Sequence, residues 1–226
     1  MTDTLVQTIA VSKRYPAAEG SVTVLSGVTL QIGTLDRIAL IGPSGSGKST
    51  LLHILAGLVD PSDGEVTWPG LGAKNQLMPR KVQTAFQTAS LFPALTVLDN
   101  IALPLLLAGE AAQPGLTPEA LLDRFGLTDL SLKLPEELSG GQAQRIAMLR
   151  ALSVAPRLIL ADEPTGPLDS TTSQDFLTGV IAVADAIGAA LVIATHDPAI
   201  AARMGRQWSI DHGTLWTDTS HLESPQ

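Results

Sequence analysis

The chain has 226 residues, of which 45% are hydrophobic and 16% charged, and its formal net charge is -8. This length and apolar content can fill a substantial core, whereas the negative balance opposes a nucleic-acid partner, which needs a basic footprint. The absence of cysteine excludes disulfides, thiolate metal sites and a cysteine nucleophile.

The amino-terminal part of the chain predicts strands of a flanking antiparallel portion. Residues 1–5 contain neither a basic nor an apolar segment, so we expect no secretory signal and a cytoplasmic location. Residues 22–32 and 65–68 have the composition of strands, and Asp63-Gly64 predicts a turn before the second of them.

A glycine-rich segment at residues 42–49 reads Gly-Pro-Ser-Gly-Ser-Gly-Lys-Ser. It follows an apolar run at 37–41 and precedes a helical pattern at 49–56, which is the strand, loop and helix context of a phosphate-binding loop. Backbone N–H groups turn onto phosphate oxygens in such a loop, and the helix N-terminus adds its positive dipole end. We expect Lys48 to bridge the β- and γ-phosphates and Ser49 to ligate Mg²⁺. The candidate nucleotide-binding residues are Gly42, Pro43, Ser44, Gly45, Ser46, Gly47, Lys48, Ser49 and Thr50.

Residues 90–155 are rich in leucine and alanine and predict an inserted helical region, punctuated by prolines such as Pro104. Thr117 followed by Pro118 predicts one helix start. Ser139, within the segment Leu-Ser-Gly-Gly-Gln, predicts the N-cap of another. The start of that helix presents donors to an anion, although the chain already has a phosphate loop for its own nucleotide.

Short apolar runs at 158–161 and 191–194 predict two further buried parallel strands. Asp162 and His196 follow these strands, at the sheet edge where open α/β sheets bind ligands. We expect the Asp162 carboxylate to hold Mg²⁺ there.

The apolar stretch 177–195 is long enough to cross a membrane, but we interpret it as a helix, a break at Gly188 and a strand. Asp185 near its middle would be costly in hydrocarbon. Residues 207–211 and 214–218 predict a hairpin near the end of the chain.

The order and spacing of the loop, Gln87, the segment 138–142, Asp162-Glu163 and His196 resemble the nucleotide-binding subunit of an ABC transporter. The resemblance covers about residues 5–218. It implies an α/β fold, namely a P-loop NTPase (RecA-like) core with a flanking antiparallel β portion and an inserted α-helical subdomain. Residues 1–226 would form a single ABC ATPase domain. Its expected parts are a core at about 1–89 and 156–219, a helical signature subdomain at about 90–155, and a tail at 220–226.

The resemblance also assigns roles at the nucleotide. Glu163 would act as the general base that polarises the attacking water, and His196 would contact the γ-phosphate. Gln87 would sense Mg²⁺ and the water while its loop touches the membrane partner. Tyr15, the only tyrosine, matches the aromatic residue that stacks on adenine, although it could instead serve packing. The predicted catalytic residues are Glu163, His196, Gln87 and Lys48, and the predicted metal ligands are Ser49, Gln87 and Asp162.

In the resembled family the signature segment covers the γ-phosphate of the partner subunit's ATP. Ser139, Gly140, Gly141 and Gln142 would therefore act across a homodimer that holds two ATP molecules, and Asp169 would link the two sites. The implied cofactors are ATP and Mg²⁺. The other implied partners are two integral-membrane permease subunits, each with four spans and an extracytoplasmic domain, which hold the chain at the cytoplasmic face of the membrane. The leucines and phenylalanine at 91, 92, 95 and 98 form either part of that docking surface or ordinary core.

Residues 52–57, 92–101 and 161–169 resemble the exporter branch that serves macrolide efflux, lipoprotein release and haem efflux. The expected function is ATP hydrolysis coupled to a permease, a translocase that exports or extracts lipoprotein, drug, haem or peptide cargo. The alternative is a regulatory ATPase that transports nothing and acts in cell-division wall-hydrolase activation or antibiotic-peptide sensing. The motifs do not separate these two functions. A soluble DNA-repair or translation ATPase is disfavoured, because the chain has neither tandem cassettes nor a coiled-coil insertion.

Overall fold

The computed structural model of the chain describes residues 3–17, 20–166 and 168–217. The predicted tail at 220–226 and the last residue of the predicted hairpin, Asp218, lie outside these residues. The strands are β1 Thr4–Ala17, β2 Gly20–Gly33, β3 Arg37–Ile41, β4 Asp63–Thr67, β5 Val82–Ala85, β6 Leu158–Asp162, β7 Ala190–Thr195, β8 Arg206–Asp211 and β9 Thr214–Thr217. The helices are α1 Lys48–Leu55, α2 Val97–Ala108, α3 Pro118–Arg124, α4 Gly140–Ser153, α5 Ser170–Ala186 and α6 Pro198–Ala201.

The larger sheet has the strand order β5-β6-β7-β3-β8-β9. Its pairs are parallel except for the terminal hairpin of β8 and β9, which is antiparallel. Ile41 lies opposite Thr195 and Asp162 opposite Ala194, so β3, β6 and β7 end at the same edge. The three buried parallel strands and the hairpin predicted from the sequence are therefore confirmed.

Alternate residues of these strands face two separate hydrophobic cores. Ile159 and Ile193 pack with the helices α2 to α5 on one face of the sheet. Leu160 and Val192 pack with α1 and the smaller sheet on the other. Burial on both faces explains why the strands are continuous apolar runs in the sequence.

The smaller sheet is antiparallel and has the order β2-β1-β4, which confirms the predicted flanking β portion. The prediction of a turn at Asp63-Gly64 is wrong, since β4 already begins at Asp63. Asp63 pairs with Ser12 across a register shift in β1, so this ladder extends two residues further than the sequence pattern indicates. The sequence reading also missed β1 and β5.

Helices α2, α3 and α4 lie within the region where the sequence predicts a helical insert. Both predicted caps are confirmed: the Thr117 hydroxyl accepts from the N–H of Ala120, and the Ser139 hydroxyl accepts from that of Gln142, each at 3.2 Å. In the apolar stretch interpreted as helix, break and strand, α5 ends at Ala186 and β7 begins at Ala190. Among the described residues, no helix combines the length and apolarity needed to cross a membrane.

Pro104 lies inside α2 and does not end it, in contrast to the sequence prediction. A proline inside a helix costs about 3 kcal/mol because it removes a hydrogen bond and crowds the preceding turn. Val97, Ile101 and Leu105 of the same helix are buried in the core, and each contributes about 1.5–3 kcal/mol. Their burial outweighs the cost of the proline, so the helix continues.

Asn100 of α2 is fully buried and holds the preceding loop. Its Oδ1 accepts from the N–H of Phe92 at 2.8 Å, and its Nδ2 donates to the carbonyls of Phe92, Leu95 and Thr96 at 3.1, 3.0 and 3.0 Å. We expect Asn100→Ala to lower the free energy of unfolding by about 2–3 kcal/mol, because these backbone groups lose their partner. Urea unfolding followed by circular dichroism measures this change.

The matched control is Asn75→Ala, at an exposed asparagine. Its free energy of unfolding should change by no more than about 0.5 kcal/mol. Equal losses in the two variants would contradict the role assigned to Asn100.

Candidate functional site

The predicted phosphate loop connects β3 to α1, and close packing fixes its path. Gly47 precedes α1 with φ 108°, and a Cβ atom there would lie 2.8 Å from the Val24 carbonyl oxygen. A Cβ atom on Gly42 would collide with the carbonyl oxygen of Ile210. Only glycine allows this backbone path at both positions. The loop borders a cavity of about 210 Å³ lined by Val24, Gly45, Gly47, Lys48, Ser49 and Thr50.

Two polar groups of the loop are suited to a bound polyanion. The buried Lys48 donates from Nζ to the carbonyls of Gly42 and Pro43 at 2.8 and 3.0 Å. The Ser46 Oγ is buried and has no hydrogen-bond partner. An unpartnered buried hydroxyl and an ammonium group in one loop, at a helix N-terminus, fit the phosphate chain of ATP.

A second cavity, of about 610 Å³, is lined by Gln87, Thr88, Glu163, Gly166 and His196. It brings together three predicted catalytic residues from distant parts of the sequence. The Nδ1 of His196 lies 2.9 Å from the Oε1 of Glu163, whose side chain is only 12% exposed. This cavity holds a carboxylate and an imidazole in hydrogen-bond contact, the kind of pair that positions and deprotonates water.

The backbone at Glu163 adopts φ 49°, in the left-handed region that non-glycine residues rarely occupy. Such a conformation costs on the order of 1–3 kcal/mol and is concentrated at active sites. Two hydrogen bonds hold it: the N–H of Glu163 donates to Ala194 at 2.9 Å, and its carbonyl accepts from Gly166 at 3.1 Å. The structure therefore maintains a strained backbone conformation at Glu163, whose carboxylate lies at the ligand edge of the sheet.

The predicted metal ligands offer the oxygen atoms that Mg²⁺ prefers: a hydroxyl, an amide carbonyl and a carboxylate. Ser49 lines the loop cavity, and Gln87 lines the larger cavity. Asp162 is buried at the end of β6, two strands away from the one that leads into the loop. This donor set fits a magnesium ion that completes its shell with phosphate and water.

The predicted signature segment begins α4 with a reciprocal cap. The Ser139 hydroxyl accepts from the N–H of Gln142, whose Oε1 accepts from the N–H of Ser139 at 2.9 Å. The hydroxyl is an acceptor in this contact, so its own proton remains free to donate to an anion. The surrounding cavity, about 380 Å³, is lined by Ser139, Gly140, Gly141, Gln142, Arg145, Leu168, Asp169 and Thr172.

The structure thus brings Asp169 together with the signature residues and keeps both apart from the phosphate loop, none of whose residues lines this cavity. Asp169 caps α5 by accepting from the N–H of Thr172 at 2.9 Å. The hydrogen bond from the Thr172 side chain lowers the pKa of Asp169 below its ordinary value. Asp169 is therefore anionic at neutral pH.

Tyr15 does not line the loop cavity. It is 38% exposed, and the Nζ of Lys13 lies 5.1 Å from the centre of its ring. Tyr15 of β1 pairs with Val22 of β2, two residues from Val24, which lines the loop cavity. Its stacking on adenine stays a prediction.

Sequence reasoning missed two polar residues that line the signature cavity, Arg145 and Thr172, as well as the apolar Leu168. Each of the two polar residues lies three positions after a predicted residue, Gln142 and Asp169 respectively. Residues three apart on a helix share a face, so this spacing could have found both.

A glycine-rich loop between a parallel strand and a helix, with a carboxylate at the end of a nearby strand, defines a P-loop nucleotide-binding protein. The family described as ABC transporter matches residues 25–166. The chain is 39% identical over 231 residues to "Lipoprotein-releasing system ATP-binding protein LolD" of Shewanella sp. (strain MR-4), covering 99% of this chain and 100% of that protein. It is 41% identical over 224 residues to the protein of the same name from Legionella pneumophila (strain Lens), covering 96% and 99%.

The structure also resembles a solved one, the dimeric ATP-binding cassette MJ0796 in a post-hydrolysis state bound to ADP and Pi. The TM-score is 0.85 and the identity 32%, covering 96% of this chain and 100% of that one. The chain therefore belongs to the ABC transporter family, as an ATP-binding subunit. The predicted family, its P-loop fold and the resemblance to the lipoprotein-release branch are confirmed.

Proposed function

We propose that two copies of this chain bind two ATP molecules at a shared interface, hydrolyse them, and drive a separate membrane permease that releases lipoprotein. The observation that carries the proposal is the convergence of Gln87, Glu163 and His196 on one cavity at the edge of the sheet. The relatives' printed name, a lipoprotein-releasing system, supports the choice of cargo over drug, haem or peptide.

At each site, the loop 42–50 binds the phosphates through its backbone N–H groups and Lys48, and Tyr15 stacks on the adenine. Ser49, Asp162 and Gln87 hold Mg²⁺, which when bound neutralises charge that develops on the phosphate oxygens. Lys48 exchanges its contacts with the Gly42 and Pro43 carbonyls for phosphate oxygens. Phosphate binding thus frees the Gly42 and Pro43 carbonyls, which accept from Lys48 Nζ in the structure described here.

Glu163 takes a proton from the attacking water, whose oxygen forms the new bond to the γ-phosphorus while ADP leaves. The position of its carboxylate supports this role, because it lines the cavity that would hold the water and lies 2.9 Å from the Nδ1 of His196. His196 orients this carboxylate and contacts the γ-phosphate. Gln87, which lines the same cavity, places the water.

The separation of the two cavities supports head-to-tail pairing. Ser139, with a free hydroxyl proton, begins a helix in a cavity to which the chain's own loop contributes nothing. A second copy would supply the γ-phosphate there, and Asp169, which lines the same cavity, would link the two sites. The dimer of the similar cassette MJ0796 supports the pairing of two copies.

The permease is proposed as two four-span subunits with extracytoplasmic domains, which hold the dimer at the cytoplasmic face of the membrane. The groove near residues 87–105 would form the docking surface. The apolar residues at 91, 92, 95 and 98 were predicted to belong either to the docking surface or to the core. Leu91 and Leu98 pack against the core, whereas Phe92 is 52% exposed. Phe92 is therefore the residue we propose for docking.

The experiment is to tag the chain with Glu163→Gln, extract it from native membranes with Mg-ATP, and identify the proteins that purify with it by mass spectrometry. The control is the same chain with Lys48→Ala, which should bind nucleotide more weakly and so close less often. Nucleotide-dependent recovery of a four-span permease with a large external domain is the expected result.

Recovery of a wall-hydrolase regulator would instead move the function to a non-transporting ATPase. Equal recovery of the permease with both variants would show that association does not depend on the closed dimer.

A further inference from the structure

The segment that carries Gln87 is held at both ends by one helix. In α4, the Nε2 of Gln144 donates to the carbonyl of Phe86 at 2.9 Å. Further along the same helix, the Nη1 of Arg150 donates to the carbonyl of Ser90 at 2.7 Å. Gln87 is exposed between these two anchors and lines the cavity of Glu163 and His196.

The helix that makes these contacts is packed into the core. Ile146, Leu149 and Leu152 of α4 are fully buried in the core, and Gln144 itself is only 1% exposed. A buried amide is costly to leave without a partner, so its contact with the Phe86 carbonyl is strongly maintained. Burial also lowers the pKa of the Arg150 guanidinium from its ordinary value, as expected for a cation held away from water.

The same helix begins at the signature segment, and its first turn contains Gln142. Gln144 lies two residues further along this helix. The ring of Phe86 also meets the ring of His53, in α1, edge-on at 5.4 Å between centroids. One residue beside Gln87 therefore contacts both the signature helix and the helix that follows the phosphate loop.

We propose that Gln144 is a positioning residue for hydrolysis, which fastens the segment 86–90 to the signature helix and so sets the place of Gln87 in the cavity. The inference rests on the proposed function, because it gives Gln87 a water to place. When the γ-phosphate of the ATP held by the partner subunit binds at Ser139, α4 and the attached segment of Gln87 shift together. A displacement of about 1 Å at such a group can cost about a hundredfold in rate, so a single hydrogen bond is sufficient to control it.

The test replaces Gln144 by methionine, which has nearly the same volume but cannot donate. We expect kcat to fall by about tenfold, since the Phe86 carbonyl loses its partner, while the KM for ATP changes by less than twofold. Hydrogen exchange at residues 86–90 should become faster in the variant without nucleotide. Ser153→Ala is the matched control, since the buried Ser153 Oγ donates within the same helix, to the Arg150 carbonyl at 2.9 Å.

A double-mutant cycle with Gln87→Ala separates positioning from general stability. If Gln144 acts through Gln87, the double variant is no slower than Gln87→Ala alone. Additive losses, or unchanged exchange at 86–90 in Gln144→Met, would overturn the proposal. Lys48→Ala separates a failure of the proposed function from a failure of the positioning role. Wild-type turnover in Lys48→Ala would reject the proposed function. Lost turnover in Lys48→Ala together with full activity in Gln144→Met would reject only the positioning role of Gln144.

Discussion

Glu163→Gln is expected to retain ATP binding and to lose turnover by a factor of about 10²–10⁴, the usual contribution of a general base. The amide keeps the size of the carboxylate and can still contact His196, which lies 2.9 Å away in the native chain. It cannot accept a proton from water at neutral pH. Two chains should therefore close on ATP and stay closed, which size-exclusion chromatography with Mg-ATP would show as a stable dimer.

Single-turnover kinetics with radiolabelled ATP measure the chemical step directly. Glu136→Gln is the matched control, because it makes the same chemical change at an exposed glutamate. Its turnover should equal that of the native chain. Rapid hydrolysis by Glu163→Gln would remove Glu163 from the role of base and leave the water to another group.

Lys48→Ala is expected to weaken ATP binding by about 10–100-fold, since a hydrogen bond to a charged group contributes about 1.5–3 kcal/mol. The ammonium group is buried between the loop carbonyls of Gly42 and Pro43, so it is already in place for phosphate oxygens. Equilibrium titration with a fluorescent ATP analogue measures the loss.

Lys133→Ala serves as the control, at a lysine outside the loop and its cavity. Thermal unfolding of both variants tests whether the loop change merely destabilises the fold. Unchanged affinity in a folded Lys48→Ala chain would contradict the phosphate-loop assignment.

Much of the fold was predictable because its strands are buried on both faces. Residues 38–41, 158–161 and 191–194 are apolar throughout, and a run of that kind has few other interpretations. The edge strand β5 has only four residues, of which two are half-buried, so it leaves no clear pattern. The strand β1 has several register shifts against β2, which interrupt the alternation that predicts a strand.

The candidate site divides in the same way. The loop around Lys48 and the cap at Ser139 depend on contiguous residues, so their local geometry follows from their own sequence. The contact of Gln144 with Phe86 joins residues far apart in the chain, and nothing in the local sequence of either residue indicates it. At Pro104 the local sequence predicted a helix end that the structure does not have. The burial of α2 outweighs the tendency of proline to end a helix.

The sequence by itself determined the family, the phosphate loop, the helix caps and the residues expected to act on ATP, because each depends on a short segment with restricted backbone chemistry. Only the tertiary structure decided which of these residues share a cavity. Strand register places Glu163 beside His196, and the packing of α4 places the segment of Gln87 against the signature helix. Both arrangements depend on long-range burial, which acts between residues distant in the chain and so leaves no local signal.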